Sequence, residues 1–283
     1  MSIETLRHDV ERLWAAGAGA SKEEGREVFA RLRAALSSGA VRAASPDQAT
    51  PTGWAVNGWV KQGILLGFRV GDLADASMDH GRWPFFDKDT LPLRAFSMPS
   101  GVRIVPGGTS VRDGAYVAAG VIVMPPAFVN IGAYVGEGSM IDSHALVGSC
   151  AQIGARVHLS ASAQIGGVIE PVGALPVVVE DDVLVGGNTG IYEGAVIKAR
   201  AVIGAGTILT GSTPVYDLPN GRVIRPEEGQ PLVIPEGAVV VPGARAVTDG
   251  PGVEWKLSLA TPVIVKYRDG RTDTRTELER WIR

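Results

Sequence analysis

Residues 129–165 read VNIGAYVGEGSMIDSHALVGSCAQIGARVHLSASAQI. Within this stretch an aliphatic residue stands at every sixth place: Val129, Val135, Ile141, Val147, Ile153, Leu159 and Ile165. Upstream, the same spacing runs back through Val123, Val117 and Val111 to Val105. After a break it resumes as Val179, Val185, Ile191, Ile197, Ile203, Leu209 and Val215. Four places after many of these stands a small or β-branched residue, such as Ala115, Ala133, Ser139, Ala145, Ala151, Ala163, Thr189 or Thr207. A period of six fits neither a helix, at 3.6, nor a simple alternating strand. It is the hexapeptide repeat of a parallel β-helix. Three hexapeptides close one triangular coil, so 105–215 holds about six coils stacked in one dimension. Such a coil forms no deep cleft alone, which directs function to its faces, its interruptions or the junction between copies.

The sequence divides into a mostly helical N-terminal domain at 1–100, a coil at 101–250 and a C-terminal strand/helix cap at 251–283. In the first, Ile3, Leu6, Val10, Leu13 and Trp14 have helical spacing. Ser21 and Glu24 form a capping box ahead of Val28, Phe29, Leu32 and Leu36, predicting a helix over roughly 22–36. Residues 56–68 read as a buried helix, and the aromatic run Trp83-Pro84-Phe85-Phe86 as the packing joint against the coil. Two interruptions are expected, near 166–178 and 214–231, the second turning at Pro219-Asn220-Gly221-Arg222. A further coil is expected at Val233 and Val239. The tail reads as strands at 258–259 and 263–267 and a helix capped by Thr274 and Glu277.

Composition narrows the class. The chain has 283 residues, 45% of them hydrophobic, which is ample for a core. A net charge of −3, with no clustered lysine and arginine, argues against a nucleic-acid surface. Cys150 is the single cysteine, so no intrachain disulfide forms and a reducing cytoplasm is expected. The N-terminus opens into a charged helical pattern without an apolar signal core, and no apolar run approaches the ~20 residues of a membrane span.

Chemistry-bearing residues are few. Cys150 sits in a small-residue corner and reads as structural. His144 and His158 are fourteen apart with no third histidine on the coil, which does not make a zinc site. Gly186-Gly187-Asn188-Thr189-Gly190 resembles a phosphate loop superficially, but no lysine follows. Asp142 follows the inward Ile141 and, by the eighteen-residue period, stacks on Ser160. On spacing alone it is a hydrogen-bonded corner and Arg103 a surface residue. The residues by themselves lead to a parallel β-helix with acyltransferase or scaffold use.

Three longer strings go beyond the generic hexapeptide: 129–135, then Met140-Ile141-Asp142 running to Gly154, then Val157-His158-Leu159-Ser160 through Pro171. With Trp54-Ala55-Val56-Asn57, Trp59-Val60-Lys61 and Ala260–Lys266, they resemble the tetrahydrodipicolinate N-succinyltransferases, a hexapeptide-repeat transferase family, over most of the chain. The resemblance implies a left-handed coil and a homotrimer with active sites between neighbouring coils. It also implies succinyl transfer from succinyl-CoA, a co-substrate, to the amine of tetrahydrodipicolinate, with no tightly bound cofactor and no metal. It puts the catalytic carboxylate on Asp142 and the substrate-binding arginine on Arg103, with Ser160 beside the substrate. Acyl-CoA is expected along Gly186, Gly187, Gly204 and Ala205, with Lys256 near its phosphates and Lys198, Arg200, Arg222 and Arg225 as further basic candidates. One departure stands out: where many members of that family carry a glutamate on the neighbouring coil, this chain has Gly190, with Glu193 and Glu170 nearby in sequence. The alternatives are a related N-acyltransferase, using acetyl-CoA or a similar amino dicarboxylate, and a non-catalytic coil scaffold.

Overall fold

In the computed structural model, residues 2–77, 79, 83–226 and 229–269 are described. Three helices, α1 (Ile3–Ala15), α2 (Lys22–Ser37) and α3 (Gly58–Val70), pack into an N-terminal unit. Ser2 and Ser21 cap α1 and α2, accepting from the backbone N–H groups of Thr5 and Glu24, which pairs donors left open at a helix start. Leu6, Val10 and Leu13 of α1 meet Val28, Phe29, Leu32 and Leu36 of α2, and Val60, Ile64 and Leu66 of α3 close the same core. A β-carbon at Gly67 would lie 2.3 Å from the Phe29 ring, so glycine there sets how closely α2 and α3 approach. Helix α3 starts at Gly58 rather than 56, because Trp54–Val56 pairs antiparallel with Ala44–Pro46.

The aromatic segment is not the joint expected from sequence. Phe86–Lys88 pairs with Leu73–Asp75 in a surface ladder, leaving Trp83 71% and Phe86 64% exposed. The joint is mixed: Ile131 and Cys150 of the coil join the helical core, while Arg112 reaches Asp87 and the Leu91 carbonyl, and Asp113 takes Arg33 and the Ser37 hydroxyl.

The coil follows the six-residue period through three parallel faces. The first face carries Arg103–Ile104, Ile122–Val123, Met140–Ile141, His158–Leu159, Leu184–Val185 and Val202–Ile203. The second carries Ser110–Val111, Phe128–Val129, Leu146–Val147, Gln164–Ile165, Gly190–Ile191 and Ile208–Leu209. The third carries Tyr116–Val117, Tyr134–Val135, Gln152–Ile153, Val178–Val179, Val196–Ile197 and Val233–Ile234. Inward members such as Val123, Val129, Ile141, Ile153, Leu159 and Ile191 are fully buried in one apolar column. Corner residues take left-handed backbone even where they are not glycine, as at His144 (φ 63°), Cys150 (φ 67°) and Ser162 (φ 60°). Each such corner costs on the order of 1 kcal/mol, offset by the regular ladder that it permits.

Two phases differ from the sequence reading. In the first coil Ile104, not Val105, pairs with Val123, since the chain spends one extra residue at the turn through Gly107 and Gly108. After the second interruption Ile234 and Val240, not Val233 and Val239, point inward, because that excursion resets the count. The excursion itself is a hairpin, Val215–Asp217 against Arg222–Ile224, turning where Asn220 and Gly221 stand.

The tail is one strand rather than two. Ser258–Tyr267 pairs antiparallel with Ala238–Ala246 and parallel with 216–217, which extends the first face and covers the coil end. This removes an unpaired edge. A short helix, α4 (Pro251–Glu254), sits in its connection. The helix expected at Thr274–Glu277 lies outside the described residues.

The third face is covered by the chain's own N-terminal unit. Arg42 lies 3.6 Å from the Tyr134 ring centroid and donates to Gln152, while the Trp54 indole and Lys198 both donate to Glu180. Gln152, Val178 and Val196 are fully buried there, although their side chains point away from the coil core. Among the described residues, the first and second faces carry no such cover. No helix among the described residues is long and apolar enough to cross a membrane.

Candidate functional site

Asp142 stands at the corner that ends the first face. Its backbone N–H donates to Leu159 of the next coil, and its carbonyl accepts from Ala145 across the turn. Its Oδ1 accepts from the Ser143 N–H at 2.8 Å. Its Oδ2 lies 3.8 Å from Nε2 of His158, and 31% of the side chain is exposed. The register that pairs Ile141 with Leu159, Leu159 with Val185 and Val185 with Ile203 puts Asp142, Ser160, Gly186 and Gly204 at equivalent places on four successive coils. Inter-coil spacing makes that column about 14 Å long. A β-carbon at Gly186 would lie 2.5 Å from the Ala205 backbone nitrogen, so this end of the column presents bare backbone. The result is a carboxylate at the head of a narrow strip without side chains. Gly187 and Ala205 flank the strip, one place further on.

Arg103 lies on the same first face, exposed, and is separated from Met140 by the coil that carries Ile122. Two coil steps, about 10 Å along the axis, separate it from the level of Asp142. One face therefore carries both residues without bringing them into contact. Lys256 is not brought to the strip: it lies in the connection beyond the last pair, Ala246 with Ser258. Two other basic candidates are engaged within the chain, Lys198 by Glu180 and the Thr52 carbonyl, and Arg222 by Asp217.

The first interruption lines a cavity of about 1030 Å³ at a different corner, between the second and third faces. Its walls include Trp54, Val168, Glu170, Leu175, Tyr192 and Glu193, and neither Arg103 nor Asp142. This cavity and the Asp142 strip are therefore separate. Buried Lys61 of α3 anchors the interruption by donating to the Ala174 carbonyl, and burial holds its ammonium below the usual lysine range. Around Gly190 the Tyr192 ring fills the space that a side chain would take, since a β-carbon there would meet it at 2.4 Å. Glu193 is committed to the Gly211 N–H at 2.9 Å. Neither Glu170 nor Glu193 is at the Asp142 corner.

Cys150 is fully buried beneath Lys61 and Ile64, and burial pushes its thiol up to about 12. That excludes a thiolate nucleophile at neutral pH and agrees with the structural reading. His158 is the residue that sequence reasoning weighed only as a metal ligand and set aside. The eighteen-residue period already placed it beside Met140, one coil from Asp142.

A parallel hexapeptide coil with a polar corner and a backbone-lined strip defines a hexapeptide-repeat transferase. Residues 100–125 and 176–211 match the hexapeptide repeat of succinyl-transferases, and residues 5–70 match the N-terminal region of tetrahydrodipicolinate N-succinyltransferase. The 2,3,4,5-tetrahydropyridine-2,6-dicarboxylate N-succinyltransferase of Granulibacter bethesdensis is 42% identical, with all of both chains covered. The protein of the same name from Gluconobacter oxydans is 39% identical over 98% of each chain. A solved Campylobacter jejuni structure named for 2,3,4,5-tetrahydropyridine-2-carboxylate N-succinyltransferase aligns at 17% identity with a TM-score of 0.46, over 84% of this chain and 62% of that one. That likeness is too distant to add to the sequence relationship. The chain belongs to the tetrahydrodipicolinate N-succinyltransferase family.

Proposed function

We propose that the protein transfers a succinyl group from succinyl-CoA to the amine of ring-opened, hydrated tetrahydrodipicolinate. The products are N-succinyl-2-amino-6-oxopimelate and CoA, on the lysine and diaminopimelate route. The observation that carries this reading is the half-exposed Asp142 carboxylate heading the Ser160–Gly186–Gly204 strip, in a chain 42% identical end to end to a protein of that name.

Thioester aminolysis needs a neutral amine, whereas an alkyl ammonium keeps its proton at pH 7. The ammonium gives one proton to solvent before attack, and Asp142 accepts the second as the N–C bond forms, a contribution of typically ~10²–10⁴-fold. The C–S electron pair leaves on sulfur as a thiolate, already a good leaving group, so no covalent enzyme intermediate is required. Arg103 takes a substrate carboxylate, for which its planar fork suits bidentate binding. Ser160 lies beside the substrate, and the pantetheine arm runs along Gly186, Gly187, Gly204 and Ala205. An extended arm fits such a strip because bare backbone allows close approach. Lys256 is assigned to the CoA phosphates from a neighbouring copy or through movement of its connection.

In this reading the coil is left-handed, and three chains close around an axis into a cytoplasmic homotrimer. Support comes from the open first and second faces, where Ile122, Met140, Leu184, Phe128 and Leu146 remain only half-buried in one chain. Closed symmetry is the usual way to cover such surfaces. It also supplies the missing proximity, since a neighbour can cover the strip that one chain leaves open. The 1–100, 101–250 and 251–283 units are proposed as its three domains.

The test is mass spectrometry of the product formed from tetrahydrodipicolinate with succinyl-CoA and with acetyl-CoA, beside light scattering. A succinyl amide, and a particle three times the 29.6 kDa of one chain, are expected. An acetyl amide formed in preference overturns the donor, and a stable monomer overturns the shared site.

A further inference from the structure

We propose that His158 is the positioning partner of Asp142. This rests on the reading of Asp142 as the general base. The argument begins with the two carboxylate oxygens. Oδ1 is fixed by the Ser143 N–H at 2.8 Å, within the carboxylate's own turn. Oδ2 has the imidazole Nε2 of His158 at 3.8 Å on one side and the open face on the other. A base with one oxygen tied to its own backbone has a single free oxygen to aim at an amine. The group beside that oxygen sets its direction.

The fold places the imidazole there by register rather than by a local turn. Met140 pairs with His158 and His158 with Leu184, so the ring stands outward on the first face one coil beyond Asp142, between two apolar side chains. Its side chain is only 15% exposed, against 31% for Asp142. The ring is therefore backed by the face while the carboxylate looks out from it. At the preceding corner Arg156 is paired with Asp181 and Asp182. Arg103 lies on the same face, three coils earlier. Nε2 faces the carboxylate of Asp142 at 3.8 Å, a contact rather than a hydrogen bond; catalytic hydrogen bonds are often long in a free enzyme and tighten when substrate binds.

The proton balance is simple. As the amine nitrogen bonds to the thioester carbon and the C–S bond breaks onto sulfur, the amine proton moves to Oδ2 of Asp142. Asp142, with 31% of its side chain exposed, then gives the proton to bulk water, which restores the carboxylate. The CoA thiolate takes its proton from solvent. Nothing is oxidised or reduced. His158 touches neither reacting carbon nor sulfur, and it acts through Asp142.

The experiment uses the full-length protein with succinyl-CoA and tetrahydrodipicolinate, and the variants His158→Gln, His158→Ala, Asp142→Asn and Asp142→Asn/His158→Gln. His158→Gln is expected to lower kcat by about tenfold, below the ~10² of the base itself. KM for both substrates and the melting temperature should stay essentially unchanged. Added imidazole should restore part of the rate of His158→Ala and none of Asp142→Asn. The double variant should be no slower than Asp142→Asn, because the two residues act as a unit. Wild-type kcat in His158→Gln, or a loss that adds in full to that of Asp142→Asn, overturns the proposal. A readout free of activity is the NMR spectrum of the His158 ring in the wild type and in Asp142→Asn. Removing the neighbouring carboxylate is expected to change the ring's chemical shifts, and identical ring spectra overturn the pairing. If the wild type releases no CoA, the acyl-transfer reading falls, while these spectra still decide whether the two groups are neighbours in solution.

Discussion

The first and third faces of the coil are built from the same hexapeptides, yet they have opposite chemistry. On the third face Gln152, Val178 and Val196 point outward and are nevertheless fully buried, because Arg42, Trp54 and the helices lie over them. On the first face Arg103, Met140, His158 and Leu184 occupy the same kind of position and remain partly open. Corners differ in the same way. Cys150 and His144 hold equivalent left-handed positions, but α3 seals the first and leaves the second exposed. The repeat therefore works as a ruler that spaces side chains without deciding their reactivity. Reactivity follows from what covers each face.

That contrast is sharpest at Cys150. With its thiol held up to about 12, it should react in the folded state with a disulfide reagent at pH 8 at least about 10³-fold more slowly than an ordinary thiol. Rapid native-state labelling would mean that the third face opens. The same burial sets the sign of a pH effect. The folded value lies above the ordinary 9.0, so above pH 9 the unfolded state sheds a proton that the folded state retains. Stability is therefore expected to fall as pH rises from 9 toward 12, and Cys150→Ala should flatten that alkaline limb in thermal melts. Lys61 acts in the opposite direction. Its lowered value makes the unfolded state bind more protons between that value and 10.5, so its contribution improves as pH rises through the window.

On the open face, Asp142→Asn is expected to cut kcat by about 10² or more while leaving the melting temperature nearly unchanged. Recovery at high pH should follow, where more of the substrate amine is already neutral. Wild-type kcat at pH 7 would reduce Asp142 to a structural corner. Arg103→Lys comes next: KM for the dicarboxylate should rise by roughly tenfold and KM for the acyl-CoA hardly at all, since a point charge does not reproduce the planar fork. Equal effects on the two substrates would remove Arg103 from the dicarboxylate site.

Gly67→Ala tests the covered side in the other currency. A methyl driven against Phe29 should cost about 1–3 kcal/mol of stability, read as a lower melting temperature with kcat/KM intact. The smallest effect is expected at Lys256. Its connection lies away from the strip in one chain, so Lys256→Ala should raise the acyl-CoA KM by less than about threefold, as for a solvent-screened charge.

Most of the coil was legible because one buried aliphatic per hexapeptide is a strict demand of the triangular core. Legibility failed where the count slipped. The extra residue around Gly107 and Gly108 moved the inward position to Ile104, and the 214–231 hairpin moved it to Ile234 and Val240. Trp83 and Phe86 misled because aromatic content suggests burial, whereas Trp83 is exposed and the ladder of Phe86–Lys88 with Leu73–Asp75 lies on the surface. At the candidate site the alignment of Asp142 with Ser160, Gly186 and Gly204 follows from the period alone. The period places His158 one coil from Asp142, but the direction of its ring toward the carboxylate depends on a rotamer, as does the Tyr192 ring lying over Gly190. Neither leaves a mark in a linear pattern.

The measurement that bears most directly on the open face as an acyl-transfer site is the initial rate of CoA thiol release from succinyl-CoA, with and without tetrahydrodipicolinate. Release that depends on the acceptor, exceeds the rate from acetyl-CoA and collapses in Asp142→Asn is expected. Release that ignores the acceptor, or that persists unchanged in Asp142→Asn, would contradict it.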